Sequence, residues 1–380
     1  MGVNLATRRV PEEHLNRIYL DHAATSPLLP AARDAMAKWA GEGANPSSLH
    51  AEGRLAKQAL DEARETVADA LGCLFAEVVF TSSGTEAANL AIVGSALANE
   101  DQRRQRVLFS AAEHHAVLET APLLTRLGYE VQILPVDRYA AVRLDTLEDA
   151  LGDDVLLVAA MHANNEVGTF NPISQIVEMA HRCGALVFCD AVQTFSPDTG
   201  ADLVAVSAHK IGGPRGVGAL TVRAGAKLKP TIAGGGQERE LRGGTENVAG
   251  IAAFAAAVAN QPPDRRQLVR DAFRRALSEP VEWTTLDGPH AVLPGHAHLR
   301  AKGCSAESML IVLDRMGVSA SSGAACSSGS IEPSHVLLAC GYSESEAREA
   351  LRFTFGKTTT IEEAEEAAVR VSAAIRQVRR

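Results

Sequence analysis

Lys210 closes the run Asp202-Leu-Val-Ala-Val-Ser-Ala-His-Lys210, and the loop Ile211-Gly-Gly-Pro-Arg-Gly-Val-Gly218 follows it. An apolar strand thus delivers Ser207, His209 and Lys210 just past its carboxyl end, where open α/β sheets place ligands. A lysine shielded from water there has a lowered pKa and can condense with an aldehyde. Left in solvent, the same residue is an ordinary loop lysine.

Upstream, Ala185-Leu-Val-Phe-Cys-Asp190 ends a second apolar run in a carboxylate, with Gln193 three residues on. A buried carboxylate needs a cationic partner, and the pyridinium nitrogen of pyridoxal phosphate is one. Asp190 and Lys210 could hold the two ends of one such ring; taken alone, Asp190 also reads as the N-cap of a following helix. Glu77-Val-Val-Phe-Thr-Ser-Ser-Gly-Thr-Glu86-Ala-Ala-Asn-Leu is strand, small-residue turn, then helix. Free N–H groups at that helix start, with the hydroxyls of Thr81, Ser82, Ser83 and Thr85, would cradle a phosphate. The turn has neither Gly-Lys-Ser/Thr nor GxGxxG, so nucleotide readings weaken, and capped strand–helix turns are common without any ligand.

Glu113-His114-His115 follows Val107-Leu-Phe-Ser110, and His162-Ala-Asn-Asn-Glu166 follows Val155 to Met161. Five expected strand ends, at Thr81, Ser110, Met161, Cys189 and Ser207, lead into polar, ionisable or small residues, which is how a site gathers on a parallel sheet. The adjacent histidines make a poor metal site, because neighbours in a helix point apart. Near the C-terminus, Ser321-Ser-Gly-Ala-Ala-Cys326-Ser-Ser-Gly-Ser-Ile-Glu-Pro-Ser-His335 sets a cysteine among glycines and hydroxyls with nothing apolar to pack on. Such a thiol is a candidate nucleophile or a bystander in a loop. Arg352, between apolar residues in Leu351-Arg-Phe-Thr-Phe-Gly356, needs a carboxylate, from a substrate or from the protein itself.

The elements that carry these groups read as an α/β chain. Its 380 residues are 46% hydrophobic, and at about 100–200 residues per domain two domains are expected. Short apolar runs alternate with amphipathic stretches from about residue 56 to 260. Strands are predicted at Glu77 to Phe80, Arg106 to Ser110, Glu130 to Pro135, Val155 to Met161, Ala185 to Cys189, Leu203 to Ser207 and Gly218 to Val222, several apolar throughout as strands covered on both faces are. A helix over Val248 to Ala259 stops at Gln261-Pro262-Pro263-Asp264, the boundary candidate. Beyond it the pattern is helices with two short strands, a smaller α+β domain.

Charged residues at 22% and aromatics at 4% exclude a disordered chain and disfavour a base-stacking surface, and Lys plus Arg (37) against Asp plus Glu (46) gives −9. No direct nucleic-acid binding is expected. No window approaches the roughly 18 apolar residues of a membrane span, and the first residues lack a signal-peptide core, so a cytoplasmic protein is expected. Cys73, Cys183, Cys189, Cys304, Cys326 and Cys340 are scattered without a CxxC pair, so neither zinc nor a dithiol is expected.

The chain resembles the cysteine desulfurases, pyridoxal phosphate enzymes of aminotransferase class V and fold type I, of the kind that supplies sulfur for iron–sulfur clusters. The resemblance runs from Tyr19-Leu-Asp-His-Ala-Ala-Thr25 through Asn45-Pro-Ser-Ser, Thr81-Ser-Ser-Gly-Thr-Glu, Glu113-His-His-Ala-Val-Leu, His162-Ala-Asn-Asn-Glu-Val-Gly, Asp190-Ala-Val-Gln, Ser207-Ala-His-Lys and Gly234-Gly-Gly-Gln-Glu-Arg. It continues through Arg242-Gly-Gly-Thr-Glu-Asn and Ser321 to His335, and closes at Leu351 to Gly356. It implies a large domain over 21–261 with a mostly parallel seven-stranded sheet, and a small α+β domain from 1–20 and 262–380. It implies pyridoxal 5'-phosphate on a Schiff-base Lys210, Asp190 on the pyridine nitrogen, Gln193 on the ring hydroxyl and His114 stacked on the ring. Gly84, Thr85, Ser207 and His209 would hold the phosphate, with Thr245 from the other subunit of a homodimer. Asn165 and Arg352 would bind cofactor or substrate, Arg352 taking the carboxylate of L-cysteine, and Cys326 would accept the sulfur as a persulfide while alanine departs.

Two features depart from the housekeeping bacterial relatives: a shorter stretch between Asp190 and Lys210, and no long tail for a scaffold partner. The Ser-Ser-Gly-Ala-Ala-Cys motif is similar to the group with the longer mobile loop, from which direct sulfide release to reductants is expected. The acceptor would be an iron–sulfur scaffold or another sulfur carrier. A selenocysteine lyase, or another class V lyase or aminotransferase, is the rival; it keeps Lys210 and Asp190 and need not use Cys326.

Overall fold

The computed structural model describes residues 16–43, 45–196, 199–323 and 332–379. After β1 (Ile18–Tyr19) come β2 (Val78–Thr81), β3 (Arg106–Ser110), β4 (Glu130–Leu134), β5 (Val155–Ala159), β6 (Leu186–Asp190), β7 (Leu203–Ser207) and β8 (Gly218–Val222). β2 to β8 form one seven-stranded sheet in the order β2-β8-β7-β6-β5-β3-β4. The β7-β6-β5-β3-β4 pairings are parallel and only β8 runs against its neighbours. β9 (Glu282–Trp283), β10 (His296–Arg300) and β12 (Ala350–Thr354) make a second, antiparallel sheet, while β1 pairs in parallel with β11 (Val318–Ser319).

The apolar runs predicted as doubly covered strands behave so for a visible reason. Along β7, Val204 and Val206 enter one core with Val187, Cys189, Phe80 and Phe254. Leu203 and Ala205 enter the core on the other face with Phe188, Leu90 and Phe109. Successive side chains point to opposite faces, so a strand with helices on both sides has no polar register. The alanine-rich helix Val248–Ala259 packs on the helices Pro30–Ala40 and Ala51–Ala70, its small side chains allowing close approach. Ile18 and Leu20 share a third core with Phe273, Leu299, Leu351, Phe353 and Ile375, so the start and the last third of the chain fold around each other.

Several expected bounds move. Glu77 lies in the one-turn helix Phe75–Glu77, where its carboxylate accepts the Leu74 amide at 2.8 Å, and Thr81 ends β2 in its place. β5 stops at Ala159, so Met161 is already in the following turn, and Asp190 is the last residue of β6. Among the described residues, the region after residue 262 holds four strands where two were expected: β9 and β11 are two residues long, too short to alternate, and β10 buries His296 and His298 where apolar residues would announce a strand. Among the described residues no helix is long and apolar enough to cross a membrane.

Candidate active site

The carboxyl ends of β2, β6 and β7 meet around small residues. A Cβ on Gly84 would lie 2.6 Å from Val192 Cγ2 and 3.6 Å from Ser207 Cβ, so these three turns are in contact and only glycine fits the first. The buried Ser207 hydroxyl, beside it, has no hydrogen-bond partner. Ser83 caps the helix Gly84–Ala98 by accepting the Glu86 amide at 3.1 Å.

The phosphate-cradle expectation is corrected in part. The Thr81 hydroxyl donates to the Ser83 carbonyl at 2.9 Å, and the Ser82 hydroxyl is taken by the Glu86 carboxylate. With Ser83 occupied as the cap, the turn leaves the Thr85 hydroxyl and the amides of Gly84 and Thr85 to meet an anion.

Lys210 lies in the helical turn Ala208–Ile211, and its Nζ donates to the carbonyls of Ala23 at 2.5 Å and Ala24 at 3.0 Å. Gln193 Nε2 donates to the same Ala23 carbonyl at 3.0 Å, and His209 Nδ1 lies 3.1 Å from Thr25 Oγ1. Residues 23–25 therefore cross the ends of β6 and β7 and tie the predicted groups together. A cavity of about 360 Å³ opens here, with His22, Ser26, Gln193, Lys210, Arg266 and Lys357 in its wall.

Asp190 Oδ1 accepts the Val192 amide at 2.9 Å in a turn, so it caps no helix. Burial of its carboxyl pushes the pKa up to about 6, against the pull of the Val192 amide and of the Lys210 charge. Behind it Glu113 is fully buried. One carboxyl oxygen takes the Met161 amide at 2.6 Å, the other has no partner, and burial together with the Asp190 charge pushes Glu113 up to about 8. A cation placed against Asp190 would relieve both.

His114 accepts the Ala116 amide on Nδ1 at 3.0 Å, which fixes its ring at the start of the short helix His115–Leu118. Burial, with the Lys210 charge next, lowers it to about 4, so the imidazole is neutral and able to stack on a ring. Among the described residues no set of three or more His, Cys, Asp or Glu is arranged to hold a metal.

Arg352, 4% exposed, donates from Nη2 to Asp21 Oδ1 at 2.8 Å and from Nη1 to the Asn165 carbonyl at 2.9 Å. Both partners belong to the protein, and the Asp21 contact joins positions that no local pattern connects. Asn164, not Asn165, builds the turn after β5: its Oδ1 takes the amides of Glu166 and Val167, and its Nδ2 donates to the Ala112 carbonyl. Thr245 stands exposed between Arg242 and the helix Val248–Ala259, and shares no hydrogen bond with this cluster among the described residues. Cys326 lies outside the described residues.

Lys210, Asp190, Gln193, His114, Ser207, Gly84 and Thr85 thus converge as the spacing suggested, and they fit pyridoxal phosphate. The fit rests on a buried anion for the pyridinium, an orphaned hydroxyl and a glycine turn for the phosphate, and an amine whose charge reaches that anion. No local pattern marks Asp21 as the partner of Arg352. Asp21 lay inside a quoted motif, but nothing local shows which residue it meets.

The pattern of the aminotransferase class-V family matches residues 18–366. A protein named cysteine desulfurase IscS from Dictyoglomus turgidum is 42% identical over 360 residues, 91% of each chain. Another of that name from Methanosarcina thermophila is 40% identical over 360 residues, 91% of this chain and 89% of its own. Among solved structures, a NifS-like protein superposes with a TM-score of 0.85 at 31% identity, over 94% of this chain and 98% of its own.

Proposed function

The chain belongs to the aminotransferase class-V family, and from that membership we propose how its own residues carry out cysteine desulfuration. The protein is a pyridoxal 5'-phosphate-dependent cysteine desulfurase, acting on L-cysteine and passing its sulfur to an acceptor. The convergence of Lys210, Asp190 and the unpartnered Ser207 hydroxyl at the ends of β6 and β7 carries the assignment of residues.

When bound, the cofactor supplies an electron-withdrawing ring that weakens the bonds at the substrate's α-carbon. Asp190 holds the ring nitrogen's proton, Gln193 meets the ring hydroxyl, and neutral His114 packs on the ring face. Gly84, Thr85, Ser207 and His209 hold the phosphate. Asn165 orients cofactor and substrate, and Arg352 takes the substrate carboxylate. Lys210 would take the substrate's α-proton at Nζ. The Cys326 thiolate attacks the substrate sulfur; an S–S bond forms as the C–S bond breaks, and its electron pair stays with the carbon fragment that leaves as alanine.

The working form is a homodimer in which Thr245 of the second copy completes the phosphate site, which its exposed position supports. The large domain is 21–261, and 1–20 with 262–380 forms the small one carrying Cys326, in keeping with the shared core of Ile18, Leu20 and the last third of the chain. The enzyme works in the cytoplasm on behalf of an iron–sulfur scaffold or similar acceptor. Free Cys73, Cys183, Cys189, Cys304 and Cys340 suit a reducing compartment.

The test is alanine and sulfide production from L-cysteine with a reductant, for the wild type, Lys210→Ala and Cys326→Ser. Both products from the wild type and from neither variant are expected. Full activity in Cys326→Ser would remove the persulfide step and favour a selenocysteine lyase or another class V lyase or aminotransferase.

A further inference from the structure

The backbone of β12 brings Asp21 to Arg352. Asp21 pairs in parallel with Thr354, whose amide donates to the Leu20 carbonyl at 2.8 Å and whose carbonyl accepts the His22 amide at 3.4 Å. Residues two apart on a strand share a face, and so do paired neighbours, so Asp21, Thr354 and Arg352 stand on one side. Arg352 is itself pinned, its amide donating to the Ser321 carbonyl at 2.7 Å and its carbonyl accepting the Ser321 amide at 3.1 Å. With both main chains fixed, Asp21 Oδ1 takes Nη2 at 2.8 Å and the Asn165 carbonyl takes Nη1 at 2.9 Å. The arginine side chain is 4% exposed and that of Asp21 21%, so this ion pair is largely shielded from water.

Asp21 also begins the turn that reaches the cofactor groups. Its carbonyl accepts the amides of Ala24 at 3.1 Å and Thr25 at 3.3 Å, and the Ala23 amide donates to Thr354 Oγ1 at 2.9 Å. Held in that way, the carbonyls of Ala23 and Ala24 take Lys210 Nζ, the Ala23 carbonyl takes Gln193 Nε2 as well, and Thr25 Oγ1 meets His209 Nδ1. Residues 21–25 are thus bonded to Arg352 at their start and to Lys210 further on.

A terminal guanidinium nitrogen carries two N–H groups, and each bond on Arg352 uses one, so one N–H on each nitrogen is left for a ligand. Resting on the reading that Arg352 receives the substrate's carboxylate, we infer that Asp21 is a positioning residue for this reaction. It sets the guanidinium in register with the turn that meets Lys210, so that a carboxylate captured by Arg352 places its α-carbon before the amine that takes the proton. An apolar side chain at position 21 would leave a buried cation paired with one carbonyl only and free to turn. A carboxylate on another element would neutralise Arg352 without tying it to Lys210.

The test uses the holoenzyme and two ligands that carry no thiol and differ in the carboxylate, L-alanine and ethylamine, titrated by the change in cofactor absorbance. Asp21→Ala should weaken L-alanine by about tenfold, the order expected for a lost hydrogen bond to a charged group, while ethylamine changes little. Asp21→Asn keeps an oxygen for Nη2 without the charge and should recover most of the loss, and kcat/KM for L-cysteine should follow the same order across the variants. Equal weakening of both ligands, no weakening, or tighter L-alanine in Asp21→Ala overturns the inference, the last because Asp21 would then compete with the ligand. An asparagine variant as weak as the alanine one also overturns it, since charge and not placement would then be what Asp21 supplies. If Asp21→Ala does not fold, Asp21→Glu, which keeps the charge and shifts it by one methylene, must show the selective loss or the inference fails. Arg352→Lys separates the premise: if it binds both ligands as the wild type does, the carboxylate role of Arg352 is what falls.

Discussion

The Glu238 carboxylate takes both terminal nitrogens of Arg64, at 2.7 Å each, in a pair that is almost wholly buried. Glu238 also accepts the Phe80 amide at 2.8 Å, and the Arg64 guanidinium lies over the Phe80 ring. This clasp holds an unusual backbone. Glu238, Arg239 and Glu240 all have left-handed φ values, 45°, 57° and 66°, which non-glycine residues keep only when their surroundings impose them.

Glu238→Gln should therefore cost about 3–5 kcal/mol, because it leaves a buried guanidinium half-paired. Thermal melting checks this, and a variant that melts with the wild type would show that the pair holds nothing. Replacing both partners by methionine should cost less than the single change.

Glu113 sets a pH dependence. The unfolded chain's carboxyl ionises near its usual value of about 4.3, whereas burial and the Asp190 charge hold the folded one up to about 8. Between those values the folded state keeps a proton the unfolded state has lost, so stability falls as pH rises through the window and levels off above it. Glu113→Gln removes that slope. Its melting temperature relative to the wild type should rise from pH 5 to pH 8; a constant difference would mean that Glu113 is charged in the folded protein.

Gly84→Ala should strike both the cofactor and the packing of the turn. The new Cβ would press on Val192 Cγ2 and crowd Ser207. The expected result is a cofactor dissociation constant raised about tenfold, equivalent to about 1.4 kcal/mol, with the cofactor-free protein itself destabilised by about 1–3 kcal/mol as Val192 is displaced. Unchanged cofactor content in the purified variant would dissociate Gly84 from the phosphate site.

Ser334 donates to Glu166 Oε2 at 2.5 Å and caps the helix His335–Ala339 by accepting the Leu337 amide at 3.1 Å. Ser334→Ala loses both and strands a buried carboxyl, at a cost of about 1–3 kcal/mol. Denaturant unfolding measures it, and a change within about 0.5 kcal/mol, the range of ordinary surface substitutions, would show that Glu166 finds another donor.

What the amino-acid sequence settled by itself lies where chemistry follows local pattern. Doubly covered strands show as unbroken apolar runs, so β3, β7 and β8 were placed residue for residue and Lys210 and Asp190 were found at strand ends. Those signals need only the period of a strand and the residues that interrupt it.

Tertiary structure decided what depends on partners. It chose which hydroxyls of the turn after β2 stay available, since Thr81 and Ser82 are captured by neighbours whose orientation no spacing reveals. It brought Asp21 to Arg352 across 331 positions, and it set His298 beside that arginine through the register of two strands. Buried polar pairing is enforced by desolvation, which acts on groups according to where the whole chain has folded and not on their distance along it.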